Sequence, residues 1–442
     1  MPARRSHTKG MSEEARLAKN TRIKEAGKAT RARRSRMDCK VFDLKIVENK
    51  LNLKQREAIY AIFREYKWIR NSALAAQRFD TEYPKELDGE VQVKTPNGFE
   101  TRRIEWLGSQ MQQGVISTLK ANLKTLATLK KNGRKVGKLK FVSDWNSIDL
   151  QQFGVTYKLI ADPKGRYTKI QVQTIPGKLR VRGFEQLSKP GIEFANAKLV
   201  KRADGFHLLV TAYLPKKETV KTQKIGVDFG IATQFTLSDG SVTTVLVDEP
   251  ERLLRLQRKL SRQEKNSNSY NRTLNQLKRE HQRLTNRKDE KANQLVHRWT
   301  SESLVYFQDE NLSSWKRCDS GSRGSKKIHH GIMGRVKSRL QQNQDTAMLP
   351  KWVATTAWCP NCGRKTKHDL SQRLYSCTCG YSAPRDMHAA RNMVLLGERY
   401  KRFTSGTEGS AGGEKVRLQD VLYAPVELFS MKPETVTALV SP

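Results

Sequence analysis

Hydrophobic and polar positions alternate in some parts of the first half of the chain and follow a helical period in others. The run Cys39–Val47 alternates, which predicts a β-strand. From Lys54 to Gln77, and again over roughly 105–131, apolar residues recur every three or four positions, which predicts two long helices. The stretch 81–104 between them is polar and contains the turn sequence Pro96-Asn-Gly. The chain is therefore predicted to begin with a strand that two helices follow.

Between about 137 and 215 the pattern changes to short strands separated by Gly and Pro turns. The predicted strands are Lys140–Val142, Val155–Ile160, Lys169–Ile175 and Phe206–Leu214. Strands at this spacing are typical of a small barrel or sandwich. Because a similar strand occurs near residue 39, we expect a β-barrel that is interrupted by the helices at 54–131.

A new unit is predicted to start at Gln223, where two strand patterns occur with the turn Asp239-Gly240. This combination is a strong signal for a β-hairpin. Further along, the pattern predicts a long basic helix over 250–299, a strand over Leu304–Glu310 and a helix from about 386 to 400. The predicted order in this half is strand, hairpin, long helix, strand and late helix.

The two ends of the chain have little hydrophobic pattern. Residues 1–36 hold 12 Lys or Arg against 3 acidic residues, so we expect a basic flexible arm that is disordered or is ordered by RNA. The tail 401–442 includes a Gly-rich segment at 405–413 and is expected to be mostly loop. At 442 residues the chain is too long for one ordinary core, which predicts two or three folded units.

The charge balance indicates the kind of partner. Lys and Arg number 83 against 44 Asp and Glu, so the formal charge is +39 and the isoelectric point is near 10.1. A compact protein with this much like charge repels itself, and a polyanion such as nucleic acid neutralises the charge most simply. Basic residues recur in 120–140, 250–300 and 316–340, so the charge does not come from one tail.

Membranes and secretion are not indicated. No window approaches the roughly 18 consecutive apolar residues of a membrane span, and the first residues lack the apolar core of a signal peptide. The basic helices carry few aromatic anchors, which makes a membrane surface a weaker partner than nucleic acid. We therefore expect a cytosolic protein without a membrane partner.

Four of the six cysteines lie within 21 residues, in two closely spaced pairs. They are Cys359, Cys362, Cys377 and Cys379. Two such turns at this spacing supply the four tetrahedral ligands of a structural zinc ion, which predicts a zinc ribbon. The second pair is C-x-C rather than C-x-x-C, which leaves His368 or His388 open as a substitute ligand. Cys39 and Cys318 are expected to be isolated thiols.

Three carboxylates are candidates for a second metal site. Asp228 lies in an otherwise apolar strand, where a charge is costly to bury unless a metal ion or a basic side chain compensates it. Glu310 ends a predicted strand, and Asp386 opens the late helix with two alanines one turn further on. Taken singly, Asp386 could cap its helix and Glu310 could face solvent.

Taken together, the three acids follow the order in which an RNase H-like fold brings three carboxylates to one edge of its sheet. Carboxylate oxygens together with substrate phosphate are ligands that suit magnesium. Two such ions would activate a water and stabilise the leaving oxygen in the attack on a phosphodiester. We therefore predict a magnesium-dependent nuclease site made of Asp228, Glu310 and Asp386.

These motifs resemble those of the TnpB family of transposon-encoded RNA-guided nucleases and of the related compact type V CRISPR effectors. The resemblance runs discontinuously from about residue 38 to 415. The segments that carry it are Gly226-Val-Asp-Phe-Gly with Leu237-Ser-Asp-Gly, Arg258-Lys-Leu-Ser-Arg, Glu310-Asn-Leu, Cys359 to Asn392 and, more faintly, Tyr66 to Leu74 and Gly137-Lys-Leu-Lys-Phe. It implies catalytic carboxylates at Asp228, Glu310 and Asp386 with two magnesium ions, and one structural zinc ion on the four clustered cysteines.

The resemblance also implies a multidomain α+β organisation. An interrupted wedge β-barrel with a helical recognition insert would precede an RNase H-like (RuvC) α/β domain that carries the zinc ribbon. The implied parts are an arm at 1–36, the barrel at 37–53 and 132–220, the helical recognition domain at 54–131, the first nuclease part at 221–355 with a bridging helix at 250–299, the ribbon at 356–382, the third motif at 383–400 and the tail at 401–442.

The activity implied is that of an RNA-guided DNA endonuclease of the prokaryotic cytosol, associated with the nucleoid. A guide RNA would select double-stranded target DNA by base pairing, and the protein would recognise a short flanking motif. Trp68, Arg70 and Gln110 are candidate base contacts. The sequence departs from the family at Asn311, where Asp is usual, at His388, where Asn is usual, and in the C-x-C pair.

Three alternative functions remain open at this stage. A nuclease-inactive RNA-guided repressor on the same scaffold would be expected to have lost an acidic residue, and all three are present. A transposase-like RNase H-fold nuclease is disfavoured by the barrel, the recognition helices and the position of the zinc ribbon. A zinc-ribbon factor of translation leaves Asp228 unexplained. The origin of the guide, the flanking motif, the cut pattern and the oligomeric state stay open.

Overall fold

The computed structural model describes residues 12–187, 190–216, 221–315, 330–366, 368–369, 371–404 and 422–423. The chain forms two compact units, Met1–Glu218 and Thr219–Pro442. None of the helices in these described parts has both the length and the apolar character that a membrane span requires.

The first unit is built on a seven-stranded antiparallel sheet that curves into a nearly closed barrel. Its strands are β1 (Met37–Ile46), β4 (Ser147–Leu150), β5 (Tyr157–Ala161), β6 (Tyr167–Val172), β7 (Leu179–Arg182), β8 (Glu193–Arg202) and β9 (Gly205–Pro215), in the order β4-β8-β9-β1-β7-β6-β5. The long strand β1 pairs with β9 from Met37 to Lys45, so the strand near residue 39 lies in the same sheet as the later strands. The interruption of the sheet by helices is confirmed.

The helical insert consists of α2 (Leu53–Ala75), the short α3 (Tyr83–Glu86) and α4 (Ser109–Lys131). Asn52 starts α2 with a capping box, in which its side chain and that of Gln55 each accept a backbone N–H of the other. One face of α2, with Ile59, Ile62 and Ile69, is fully buried in the hydrophobic core of the barrel. The insert is therefore part of the same core as the sheet.

The polar stretch between the helices differs from its prediction. It folds as a two-stranded hairpin of β2 (Glu90–Thr95) and β3 (Gly98–Arg103). Only Val91 of these strands is buried, so the strands lack the apolar alternation by which a sequence reveals a β-strand.

The second unit contains a five-stranded mixed sheet. Its strands are β10 (Gln223–Phe229), β11 (Phe235–Leu237), β12 (Val242–Thr243), β13 (Ser303–Gln308) and β14 (Thr346–Leu349), in the order β12-β11-β10-β13-β14. The first three strands are antiparallel, whereas β13 is parallel to both β10 and β14. The predicted hairpin and the later strand are confirmed, and the later strand, β13, lies beside β10.

Helices and a small hairpin complete the second unit. They are α5 (Glu251–Ser261), α6 (Asn268–Thr300), α7 (Leu312–Trp315), α8 (Met333–Gln342), the hairpin of β15 (Leu374–Ser376) and β16 (Ser382–Pro384), and α9 (Arg385–Thr404). The hydrophobic core between sheet and helices includes Val227, Phe307, Trp299 and Val336. The predicted late helix corresponds to α9.

Three other predictions need correction. The basic helix predicted over 250–299 is two helices, because Asn266 adopts a positive φ of 67° and the Ser267 side chain caps the start of α6. The strand predicted at Lys140–Val142 has no regular structure. Part of the arm expected to be disordered is a helix, α1 (Glu13–Arg34), that buries no residue.

Some sequence predictions fall outside the described residues. These are the first eleven residues of the arm, Cys318, and most of the predicted loop beyond residue 404. Leu422 and Tyr423 of the tail are described, and both are buried.

Candidate active site and metal centre

Asp228 lies in the central strand of the five-stranded sheet. Its neighbours Val227 and Phe229 point into the core, and it faces Thr236 across the antiparallel pair of β10 and β11. Burial raises the pKa of Asp228 to about 8, and the nearby carboxylates of Asp386 and Glu310 contribute to that rise. The fold therefore brings the three predicted acids within electrostatic range of one another.

Glu310 follows the end of β13, the strand that runs parallel to β10. The backbone N–H of Asp309 still donates to Leu349 O at 2.9 Å, which continues the pairing with β14, and the chain then turns at Glu310. Burial raises the pKa of Glu310, while the positive charges of Lys351 and Lys337 oppose that rise. Glu310 is thus a partly buried acid whose negative charge is favoured by two nearby lysines.

Lys337 on α8 holds the backbone that carries Glu310. Its Nζ donates to Asp309 Oδ1 at 2.6 Å and to the main-chain oxygen of Glu310 at 2.6 Å. Only 17% of the Lys337 side chain is exposed, whereas the Asp309 carboxylate is 45% exposed, so these charge-assisted bonds are partly shielded from water. Lys337 thereby fixes the turn from which the Glu310 side chain extends.

Asp386 lies in the first turn of α9, which packs directly on β10. At Gly226, two residues before Asp228, an added Cβ would lie 1.8 Å from Ala390 O. Ala389 and Ala390 are fully buried, as expected for alanines that allow close packing on a sheet. The small residues at this crossing let α9 bring Asp386 to Asp228.

The three carboxylates do not form a tight cluster of ligand atoms like that of the cysteines. Among the described residues, the groups of three or more His, Cys, Asp or Glu with ligand atoms within 4.8 Å of one another include the four cysteines and not this trio. The role of the three carboxylates as magnesium ligands stays a prediction.

The clustered cysteines form a second candidate metal site. The Sγ atoms of Cys359 and Cys379 are 3.6 Å apart, and those of Cys362 and Cys377 are 3.5 Å apart. Four thiolates bound tetrahedrally at about 2.3 Å from zinc would be about 3.8 Å apart. Both thiols of the C-x-C pair belong to the cluster, and the four cysteines could hold a metal ion such as zinc.

The two histidines considered as substitute ligands have other contacts. His388 is fully buried, lies parallel to Tyr375 with ring centres 3.8 Å apart, and places Nε2 3.0 Å from Asn392 Nδ2. Burial lowers the pKa of His388 to about 4, so the ring is neutral at pH 7. His368 Nδ1 lies 3.1 Å from Gln372 Oε1. Neither histidine belongs to the cysteine cluster.

His388 connects the cysteine hairpin to α9. Tyr375 lies on β15 beside the second cysteine pair, and the Tyr381 hydroxyl lies 3.3 Å from His388 Nδ1. Asn392, one helical turn after His388, donates to Thr355 O at 2.7 Å and to Trp358 O at 2.8 Å. The segment that contains the cysteine cluster therefore packs directly against α9, the helix that carries Asp386.

The sequence did not reveal the bonds of Lys337 to the turn at Glu310 or the close packing at Gly226. It suggested a base contact at Arg70, which is buried. A lysine in a basic chain has no local signal that distinguishes it, whereas a glycine in the middle of an apolar strand does indicate a close backbone approach.

Arg70, a candidate base contact, is only 5% exposed and donates to Lys140 O at 3.1 Å. Trp68 lies under the Arg64 guanidinium, and Gln110 Nε2 donates to Gln152 Oε1 at 3.2 Å.

Comparison with known proteins gives a family match over part of the second unit. The model of the family described as Cas12f1-like, TNB domain, matches residues 341–393, the stretch that contains the cysteine cluster and the start of α9. A cryo-EM structure of a Cas12f1-sgRNA-target DNA complex matches at 15% identity over 80% of this chain and 98% of its own, with a TM-score of 0.22. So low a TM-score carries no conclusion about the fold.

Two curated relatives match a longer part of the chain and carry the name of an activity. A protein of Streptomyces pristinaespiralis named "Putative RNA-guided DNA endonuclease" is 26% identical over 208 residues, which are 45% of this chain and 49% of the relative. InsQ of Escherichia coli strain K12, which has the same descriptive name, is 28% identical over 202 residues, or 39% and 48% of the two chains. The chain spans about half the length of these curated relatives. The matches confirm the resemblance to TnpB-like compact effectors.

Proposed function

We propose that this chain is an RNA-guided DNA endonuclease that cuts target DNA with a two-magnesium site formed by Asp228, Glu310 and Asp386. The observation that carries the proposal is the effect of the carboxylates of Asp386 and Glu310 on the pKa of Asp228. Three acids from separate parts of the chain lie within electrostatic range of one another, and the negative charges of Asp386 and Glu310 oppose the ionisation of the buried Asp228. A cation is the simplest compensation for such a cluster.

The strand order supports an RNase H-like (RuvC) scaffold for this site. The order β12-β11-β10-β13-β14, with parallel strands on one side of β10, places Asp228 in the central strand and Glu310 at the end of its parallel neighbour. The late helix adds Asp386 from the adjoining layer. This is the arrangement of strand, hairpin, strand and helix by which the nuclease site was predicted.

The protein residues bind and orient the reacting groups. Asp228, Glu310 and Asp386 would hold the two magnesium ions, and Lys337 would keep the turn at Glu310 in place. When bound, the ions would activate a water and stabilise the leaving oxygen of the phosphodiester. Lys351, whose positive charge acts on Glu310, is close enough to attract a substrate phosphate to the site.

The four-cysteine cluster is proposed to bind one structural zinc ion. All four ligand positions would be occupied by thiolates, so the ion would have no open position for catalysis. Its function would be to hold the hairpin β15–β16 against α9, and so to support Asp386. The packing of His388 between these elements is consistent with this function.

The proposed partners are a guide RNA and double-stranded target DNA. The formal charge of +39 is spread over the chain, which suits contacts with long RNA and with both DNA strands. The barrel with its helical insert would bind the guide and recognise a short flanking motif. The basic helices α5 and α6 would correspond to the bridging segment of the family. We propose that the protein acts in the prokaryotic cytosol, where its DNA target is found.

The test uses the full chain purified with the RNA that binds to it. Sequencing of that RNA identifies the guide, and a matching DNA duplex is then offered with magnesium. The expected result for Asp228→Ala is full guided binding with loss of strand scission. Asp248→Ala is the matched control, because the Asp248 side chain is 86% exposed. Scission by Asp228→Ala at the wild-type rate would overturn the assignment of the site.

A further inference from the structure

A segment without regular structure in the first unit is nevertheless held firmly in place. Residues 134–146 connect α4 to β4, and side chains of α2 bind their backbone. Asn71 both donates to Val142 O at 2.9 Å and accepts from Val142 N at 3.1 Å. Arg70 donates to Lys140 O at 3.1 Å and Lys67 to Ser143 O at 3.3 Å. The backbone on both sides of Phe141 is therefore fixed.

An aromatic anchor adds to these hydrogen bonds. The Trp145 ring stacks on Tyr66 with centroids 5.4 Å apart and planes inclined by 10°, and the Arg70 guanidinium lies 5.2 Å from the Trp145 ring centre. Tyr66 and Arg70 are themselves almost completely buried. The segment is thus attached to the core at one end, which restricts the conformations that Phe141 can adopt.

Phe141 itself does not contribute to the core. Its side chain is 64% exposed, although the residues around it are ordered by specific bonds. Of the eleven residues 130–140 that precede it, six are Lys or Arg and none is acidic. Lys138 and Lys140, which precede it by three residues and one residue in the sequence, are both exposed. A large apolar ring is therefore presented to solvent in a strongly positive environment.

We propose that Phe141 is a stacking platform for an unpaired base of a single-stranded nucleic acid, with Lys138 and Lys140 bound to the adjacent phosphates. Positive charge beside an exposed aromatic ring is the combination by which proteins bind single strands. A duplex does not offer the face of a base, because its bases are stacked on one another. A pre-ordered ring loses little conformational freedom on binding. The inference concerns the partner class proposed above, but it does not depend on the cutting site.

The experiment measures binding of the full chain, freed of RNA by high salt, to single-stranded and duplex oligonucleotides that contain 2-aminopurine. RNA and DNA single strands are tested separately, which identifies the natural source of the base. Phe141→Ala is expected to weaken single-strand binding about 5- to 150-fold, the range for loss of one stacked base, and duplex binding much less. Phe141→Trp should restore affinity and quench the 2-aminopurine fluorescence.

Two controls separate stacking from charge and from a general loss of structure. Val242→Ala removes another highly exposed apolar side chain, on β12 of the second unit, and should leave affinity unchanged. Lys138→Gln and Lys140→Gln should make the dependence of affinity on salt less steep, whereas Phe141→Ala should not alter that slope. Because Phe141 is exposed, its substitution should leave Tm unchanged.

Several results would overturn the proposal. They are wild-type single-strand affinity in Phe141→Ala, equal losses for single strands and duplexes, or no quenching in Phe141→Trp. Capture of a protein at this surface with no effect on nucleic acid would also contradict it. Loss of cleavage without loss of single-strand binding would concern the carboxylate site alone, so failures of the two proposals are distinguishable.

Discussion

At the scale of single residues, the charge on Asp228 depends on what surrounds it. Burial and two neighbouring carboxylates raise its pKa to about 8, so the ionised form is disfavoured unless positive charge is supplied. Arg385 supplies positive charge to Asp228, and Lys351 and Lys337 supply it to Glu310. Each acid therefore depends on groups that are distant from it in the sequence.

Lys337 gives a first prediction at this scale. Lys337→Met removes the bonds to Asp309 and to the Glu310 backbone while keeping most of the side-chain volume. Loss of buried hydrogen bonds to a charged group corresponds to about a tenfold effect or more, so we expect slower cleavage and a higher magnesium requirement. Cleavage rates over a magnesium titration, with Mn²⁺ binding followed by paramagnetic resonance, measure both.

Arg335→Met is the control for Lys337→Met. Arg335 lies on the same helix, but its ion pair is with Asp289 rather than with the site. It should leave the magnesium requirement unchanged. An equal change in both variants would indicate that α8 as a whole, and not Lys337, supports the turn.

The cysteine cluster gives a second prediction. Cys379→Ser removes the most exposed of the four thiols, and we expect purified protein to lose its bound zinc and to melt at a lower temperature. Elemental analysis and thermal melting measure the two effects. Cys39→Ser, at another exposed cysteine, should retain one zinc ion per chain. Full zinc content in Cys379→Ser would exclude the four-thiol site.

At the scale of elements, the position of α9 depends on small residues on both contacting surfaces. Gly226 on β10 faces the backbone of Ala390, and Gly397 on α9 faces the Tyr306 ring of β13, where an added Cβ would lie 2.4 Å from a ring carbon. These contacts set the distance between helix and sheet. The hydrophobic pattern predicted both elements, but the pattern contains no information on how closely they approach.

Gly226→Ala tests this packing. A methyl group here would meet backbone, which cannot rotate away, so we expect a loss of about 1–3 kcal/mol in stability and a displaced α9. Cleavage should fall because Asp386 moves away from Asp228. Denaturant unfolding and cleavage assays measure these effects. Gly334→Ala, on α8 with nothing within 4 Å, should not destabilise the protein, and equal losses in both would contradict the packing argument.

At the scale of the whole molecule, the positive charge extends over elements that contribute nothing to the cores. α1 buries no residue and carries eight Lys or Arg, and its end is attached through Arg33 and Arg34 to Glu193 and through Arg34 to Tyr213. Helices in proteins owe most of their stability to one face packed against a core, and α1 lacks such a face. Such a helix is more useful for binding a polyanion than for stability.

Deletion of residues 1–32 tests this interpretation while keeping Arg33 and Arg34. Because α1 packs against no core, Tm should be unchanged. Affinity for the copurified RNA should fall, and its salt dependence should become less steep by about 0.7–0.9 for each phosphate that the arm neutralises in the intact protein. Fluorescence anisotropy at several salt concentrations measures both. Unchanged RNA affinity would mean that the arm binds something else.

The sequence by itself determined the local features of this protein. The periods of β1, α2, β10, β13 and α9, the turn at Asp239-Gly240 and the paired cysteines were predictable, because each depends on residues a few positions apart. The β2–β3 hairpin and the break between α5 and α6 were not predicted, since polar strands lack apolar alternation and a capped break interrupts a helical period only briefly.

Only the tertiary structure decided which distant residues meet. Asp228 and Asp386 are 158 positions apart, and their approach depends on a glycine that faces a helix backbone. The support of Glu310 by Lys337, the burial of Arg70 and the exposure of Phe141 are likewise results of packing. Side chains of the same type occur throughout the chain, and only the folded arrangement gives each a distinct burial, partner and charge environment.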